Sequence, residues 1–393
     1  MGSTWKVYVL ALISFLVGTS EYIISGILDR IAVTLGTSVA AAGQLITVFS
    51  LAYAIGTPIL MAATAKMDRR KLLLYSLGLF IAANLLSFVL PGFELFIAAR
   101  IIMALGAGMV VVTALSIAAK IAPPGKQAGA IASVTMGFTA SLIIGVPLGR
   151  MISTALGWKA VFLAIALVGV LAMVVIALSI PRIKGDEPIP LMKQFALLKR
   201  PQVAIALGIT FFWLGGYSLA YTYISPFLLE VTHLNDSLLS AALLVFGIAS
   251  LIGSKVGGYS ADKRGVMFTL ATGMLLHIIS LILLSFAGHS VVAVFAILIL
   301  WSFAAWSSGP TQQYNLISLA PESSGVMLSL NQSTMQLAMA VGAAVGGLVI
   351  GHVSLASITW FGAAGVIIAV IATFVLSGMT SRQPAIQKAD PIH

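Results

Sequence analysis

Twelve long apolar stretches, parted by short polar breaks, govern what this chain can become. They fall at 5–28, 40–64, 72–91, 94–120, 127–150, 158–180, 202–226, 238–260, 267–287, 291–318, 325–350 and 355–378. A helix of roughly 20 apolar residues crosses the hydrocarbon of a bilayer. Within lipid each backbone polar group must be satisfied inside the protein, so spans of this length read as helices. Only 8% of the residues are charged and 60% are hydrophobic, whereas soluble domains carry about 25% charge. The chain is therefore expected to be an all-α polytopic membrane protein with 12 transmembrane helices, not a soluble enzyme with a large core. The first span is followed by no small-residue cleavage site and is read as retained.

The formal net charge of +10 would point to nucleic acid in a soluble protein. Here the cations lie in the breaks between spans, where they set orientation, and no nucleic-acid partner is expected. With an even number of spans, 17 of the 21 lysines and arginines fall on the side of the termini. Lys6, Lys66, Arg69, Arg70, Lys71, Lys120 and Lys126 belong to that side in the first half. Arg30, Arg150 and Lys159 lie toward the opposite side, and Arg100 lies within a span. The positive-inside bias then places both termini in the cytoplasm of a multi-pass protein of the cell membrane. The longest polar break, 181–201, carries four prolines and five basic residues. It is read as a cytoplasmic linker lying along the membrane, with a short amphipathic helix near Leu191–Leu198. Residues 1–180 and 202–380 would each form a six-helix bundle, and 381–393 a cytoplasmic tail. Basic loops after spans two and eight repeat across the halves, which suggests a duplicated transporter with its site between them. With no cysteine, thiolate metal sites and disulfides are excluded, and no cofactor is expected.

Two charges stand inside apolar runs. Glu21 shares a stripe with Ser14, Gly18 and Ser25 on span one, and a carboxylate at that depth costs about 2.5–3.5 kcal/mol on insertion scales. It is either a packing hydrogen bonder or a proton or cation site. Arg100 opens span four at a similar depth, about 10 Å at 1.5 Å per residue, which makes it the natural partner of Glu21. The alternative is a clamp on backbone carbonyls. His277 on span nine is read as a packing residue or a second proton site. Expected cavity walls are Tyr22, Phe212, Trp213, Tyr217 and Tyr221, then Trp301, Trp306, Gln312, Gln313 and Tyr314. Asn331, Gln332 and Gln336 complete them. Buried amides seek partners and read the donors and acceptors of a small solute.

Three motifs carry a family resemblance. Gly258-Tyr-Ser-Ala-Asp262-Lys263-Arg264-Gly265 resembles the G-x-x-x-D-[RK]-x-G loop of the major facilitator superfamily. Its glycines would allow close helix approach and a tight turn, and its aspartate could cap a helix. The first-half counterpart keeps Lys66, Arg69 and Arg70 but has Met61, Ala65 and Asp68 where Gly, Asp and Gly would stand. Arg100, Gly106 and Gly108 resemble the R-x-x-x-x-x-G-x-G element. Gly137, Gly145, Pro147 and Gly149 resemble the antiporter signature of the drug:proton export branch, with Val146 interrupting the Gly-Pro pair. The resemblance covers the whole chain and implies two bundles, alternating access and gating by the loop and span-five residues. It also implies proton coupling through Glu21 and Arg100. The stretch from Ala42, the GVPLG run and Trp306–Gln313 are similar to bacterial purine base and nucleoside efflux pumps, with sugar and chloramphenicol exporters as near alternatives. The implied partners are a small-molecule substrate, protons and the lipid bilayer, for a protein functional as a monomer. A membrane enzyme would need a cluster of His, Asp and Glu with acid/base spacing, which the spans lack. An importer or uniporter is disfavoured by the span-five signature and Glu21. No Walker motif points to ATP.

Overall fold

The computed structural model describes residues 4–123, 127–185, 197–288, 290–320 and 324–381. Among these every regular element is helical. The first half holds α1 (Thr4–Thr34), α2 (Val39–Ala63), α3 (Arg69–Val89), α4 (Phe93–Ile121), α5 (Gln127–Ala140), α6 (Val146–Leu156) and α7 (Lys159–Ser179). The second holds α8 (Pro201–Tyr221), α9 (Asp236–Arg264), α10 (Val266–Ser285), α11 (Val291–Leu319), α12 (Ser324–His352) and α13 (Ile358–Ser381). Helices α5 and α6 run through a wide π turn, Ser141–Gly145, as one span. The described residues thus hold 12 segments long and apolar enough to cross a membrane.

Capping side chains set several starts. Ser38 accepts from the Ala41 N–H at 3.1 Å, Asp68 from Lys71 at 2.9 Å and Asn235 from Leu238 at 2.9 Å; each satisfies an amide with no helical partner. Helix α1 continues past the expected end at 28, with a kink at Ile27 (φ −130°). Asp29 and Arg30 look like loop charges in the sequence, but ion pairs described below neutralise both inside the helix. Span seven is broken: α8 stops at Tyr221, and a one-turn segment, Ile224–Pro226, leads into a π turn, Phe227–Val231. Pro226 has no amide proton to donate to the carbonyl four residues back, at Thr222, where the regular helix gives way. Within the 181–201 break, residues 197–199 form one 3₁₀ turn. The rest of the proposed Leu191–Leu198 helix and the tail beyond 381 lie outside the described residues.

Helices α1–α7 pack on one another, chiefly α3 on α4 and α7 and α1 on α4 and α5. In the second half α9 packs on α11, α13 on α8 and α10, and α12 on α8. The halves meet along α2 and α12, where α6 and its π turn cross α9, and where Ile224–Pro226 touches α1. This is the two-bundle arrangement. Leu171, Leu178, Ile371 and Phe374 are exposed on the outer surface, where hydrocarbon replaces water as their solvent.

Candidate functional site: the cleft between the halves

A cavity of about 420 Å³ opens between the halves. Its walls are Tyr53 and Thr57 on α2, Val112 on α4, Thr135 and Phe138 on α5, and Asn331 and Gln332 on α12. With α5 and α6 taken as one span, every one of these lies in the half of its span nearer the side where α1 begins, called here the terminal side. A smaller slot of about 110 Å³ branches into the second half, lined by Trp213, Tyr217, Trp306, Gln312 and Met335. Thr135, Gln313 and Asn331 border both spaces, so the two adjoin. The spacing of Trp213 and Tyr217 on α8 puts both rings on one helix face. Tyr217 meets Trp306 edge-on at 6.1 Å between centroids.

The sequence-predicted wall residues divide. Tyr217, Trp306, Gln312, Gln313, Asn331 and Gln332 reach the cavity or its slot. Gln312 is held in place: its Nε2 donates to the Ala206 carbonyl and to Thr210 Oγ1 (3.1 Å), and its Oε1 accepts from Asn315. Asn331 Oδ1 accepts from Thr210 at 2.9 Å. The Gln313 side chain borders both spaces and makes no side-chain hydrogen bond to a described residue. Six expectations fail among the described residues, one of them Tyr314, which is exposed and lines neither space. Phe212 is exposed on the outer surface beside Phe211, because the helix rotates it away from Trp213. Tyr221 stacks on Tyr217 at 5.1 Å but turns to Phe246 and Trp301 in the core. Tyr22 is buried against Phe138. Gln336 lines neither space, because its amide is bonded to Glu21. Trp301 is likewise in the core, stacked on His277 at 6.1 Å, which makes the histidine a packing residue in this arrangement. Tyr53, Thr57 and Thr135 were missed, although Tyr53 and Thr57 stand at the i, i+4 spacing that marks a shared face.

Glu21 is buried where the halves meet. Its Oε1 accepts from Gln336 Nε2 on α12 at 3.0 Å, and its Oε2 has no partner. The expected direct ion pair with Arg100 is not formed. The guanidinium is fully buried, donates from Nη1 to the Ser20 carbonyl at 2.8 Å and lies 4.1 Å over the Phe49 ring. Its Nε and Nη2 have no partner, yet it remains within electrostatic range of Glu21. The carbonyl clamp is thus the geometry seen. Among the described residues no three His, Asp or Glu side chains gather into a metal-holding group.

The opposite, far side is closed. Arg150 on α6 is fully buried and pairs with Asp29 of α1 at 2.5 Å and with Asp236 at the start of α9. Arg30 joins Asp236 at 3.1 Å. At the α1 kink the Gly26 carbonyl accepts from Arg150 Nη1 at 3.1 Å, and the Ser25 carbonyl accepts from Ser225 Oγ at 2.7 Å. One clamp comes from each half. Tyr223 adds a plug: its hydroxyl donates to the Ala343 carbonyl, and a Cβ on Gly43 would lie 2.0 Å from that hydroxyl.

The motif residues explain part of this closure. Gly145 and Gly149 press on Thr19 and Ile23 of α1, where a Cβ would fall 2.2 and 2.3 Å from side-chain atoms. The π turn before Pro147 brings the Ile143 backbone against Gly247 of α9, with 2.4 Å left for a Cβ. In the loop signature Gly265 makes the turn with φ +89°, but Gly258 has open space. The close contacts with α11 belong to Gly253 and Gly257, whose added Cβ atoms would meet carbonyls of Phe303 and Ser307. Asp262 and Lys263 are exposed in the last turn of α9, and no side chain caps α10. Capping by aspartate occurs instead at the degenerate first-half loop, through Asp68. There Arg70 donates to the Ala177 carbonyl at the end of α7, and the buried Arg69 donates its amide to the Ile183 carbonyl at 2.8 Å.

Comparison with known proteins gives a consistent result. The profile of the Major Facilitator Superfamily matches residues 10–343. The chain is 67% identical to the MFS-type transporter YbcL of Bacillus subtilis (strain 168), over 98% of both chains. It is 32% identical to the inner membrane transport protein YdhP of Escherichia coli (strain K12), over 89% of this chain and 90% of that one. Among solved structures it resembles a bacterial homologue of the human lysosomal transporter Spinster in an inward-facing, unoccupied conformation, with TM-score 0.73, 19% identity and coverage of 95% and 97%. A POT family transporter in complex with 5-aminolevulinic acid matches with TM-score 0.77, 14% identity and coverage of 96% and 97%.

Proposed function

The chain belongs to the major facilitator superfamily, and from that premise we propose that it is a proton-coupled exporter working by alternating access. Its cargo on this reading is a purine base, a nucleoside or an analogue of one. The observation that carries the proposal is the carboxyl of Glu21, buried between the halves with one oxygen bonded across the interface and a free guanidinium edge in range. A titratable group so placed can couple protons to rearrangement of the halves. On the same reading the protein acts as a monomer in the cell membrane, with both termini and the 181–201 linker cytoplasmic. The bundles are 1–180 and 202–380, and 381–393 is the tail. The cavity then opens to the cytoplasm and the Arg150 cluster seals the outside.

A planar heterocycle offers a π-face and an edge of donors and acceptors. Trp213, Tyr217 and Trp306 can stack on the face, and Gln313, Asn331 and Gln332 can bond the edge. Cargo enters from the cytoplasm, the far-side cluster parts, and cargo leaves as Glu21 takes a proton from outside. The proton is released to the cytoplasm when the cavity returns. Arg100 favours the ionised carboxylate and so competes with the proton. The test is uptake of labelled purine bases and nucleosides into everted vesicles, with and without an imposed proton gradient. Gradient-dependent uptake is expected. Uptake of sugars or chloramphenicol in place of purines would overturn the cargo, and uptake indifferent to the gradient would overturn the coupling.

A further inference from the structure

The hydrogen bond between Glu21 and Gln336 leaves a matched pair of defects. Glu21 Oε2 and Gln336 Oε1 are both buried and both without a partner. Each is an acceptor, and an unsatisfied buried acceptor is strongly disfavoured. One proton would remedy both, since an acid and an amide share a complementary edge. One N–H···O bond and one O–H···O bond close a ring between them. We propose that in this conformation Glu21 is protonated on Oε2 and donates to Gln336 Oε1, so that acid and amide form a two-bond tie between α1 and α12 across the halves. The proposal rests on the reading of Glu21 as the proton site and names Gln336 as the residue through which that proton acts.

Loss of the proton turns the tie into a repulsion. The carboxylate Oε2 then faces the amide oxygen, acceptor against acceptor, and only the Nε2 bond survives. The ionised group has a better partner within its own half, because Nε and Nη2 of Arg100 are free. Protonated, Glu21 reaches across to Gln336; ionised, it turns back to Arg100. Other titratable groups facing it are Tyr53 on α2 and Tyr22 on its own helix, and Tyr221 of α8 faces Tyr22. The turn 141–145 and the segment 224–226, both packed on α1, carry no titratable side chain. Arg150 and Asp29 lie one to two turns farther toward the far side and are paired with each other.

Because the tie joins the halves while the terminal side is open, low pH should favour that opening. The protein has no cysteine of its own, so spin labels at Lys71→Cys and Arg264→Cys can report the terminal-side distance by electron–electron double resonance. In the otherwise unaltered protein the ratio of open to closed forms should fall roughly two- to tenfold as pH rises, the worth of one buried hydrogen bond. Glu21→Gln should hold the low-pH ratio of open to closed forms at every pH, since an amide–amide pair keeps both bonds. Gln336→Leu should lose the pH response while remaining folded, with Gln336→Met as the second variant. A full response in Gln336→Leu or Gln336→Met overturns this inference and leaves Glu21 as a proton site. A full response in Glu21→Gln, or none in the unaltered protein, overturns the proton-site reading as well.

Discussion

Arg100 is held by the Ser20 carbonyl and the Phe49 face and lies in the field of Glu21, with Nε and Nη2 left without a partner. A lysine keeps the charge but neither the fork nor the stack. Arg100→Lys is therefore predicted to lower gradient-driven transport roughly tenfold or more, the worth of one charge-assisted hydrogen bond, at near-normal protein yield. Yield and initial rates in the same vesicles check it. At the far side the buried charge is the central fact. Removing both carboxylates, Asp29→Asn with Asp236→Asn, strands Arg150 and should cost about 3–5 kcal/mol. Arg150→Met removes the buried charge itself and should cost much less, a ranking that thermal unfolding of the purified variants reads directly. Glu21 and Arg100 were legible in the sequence because a charge in an apolar run is costly and must find a partner. Asp29, Arg150 and Asp236 were not, because charges at span ends are ordinary until the fold brings three helices together. Gln336 was legible as polar and buried, but its partner lies 315 positions away.

Helix contacts in lipid are set by small residues, and the chain shows how local that rule is. Gly257 meets the Ser307 carbonyl while Gly258, the residue in the loop signature, meets nothing. Gly257→Ala should destabilise the second half by about 1–3 kcal/mol, as overpacking does, and Gly258→Ala should leave its unfolding temperature unchanged. Equal effects would show that the α9–α11 packing described here is wrong. The number and placement of the helices were readable because hydropathy reports each span independently of the others. The π turn before Pro147, the kink at Ile27 and the break after Tyr221 were not. Pro147 and Pro226 mark where regular helix is disfavoured, but hydropathy does not show how the backbone departs from it, and at the kink the Gly26 carbonyl is met by Arg150 from another helix.

Among the described residues the two bundles are clamped together on the far side, and the aromatic and amide-lined space between them lies toward the terminal side. Its proposed orientation follows from the basic bias of the loops and can be checked with an impermeant thiol reagent on whole cells. Glu94→Cys, exposed at the far-side start of α4, should label from outside, and Lys263→Cys should label only after the membrane is breached. The reverse pattern would invert the molecule and turn export into import. The central claim is that a proton on Glu21 couples cargo movement to exchange between the two arrangements. It is tested most directly in proteoliposomes carrying Glu21→Gln, with purine transport measured under a proton gradient and as counterflow without one. The account predicts that gradient-driven transport is lost while counterflow persists; gradient-driven transport at the rate of the unaltered protein would contradict it.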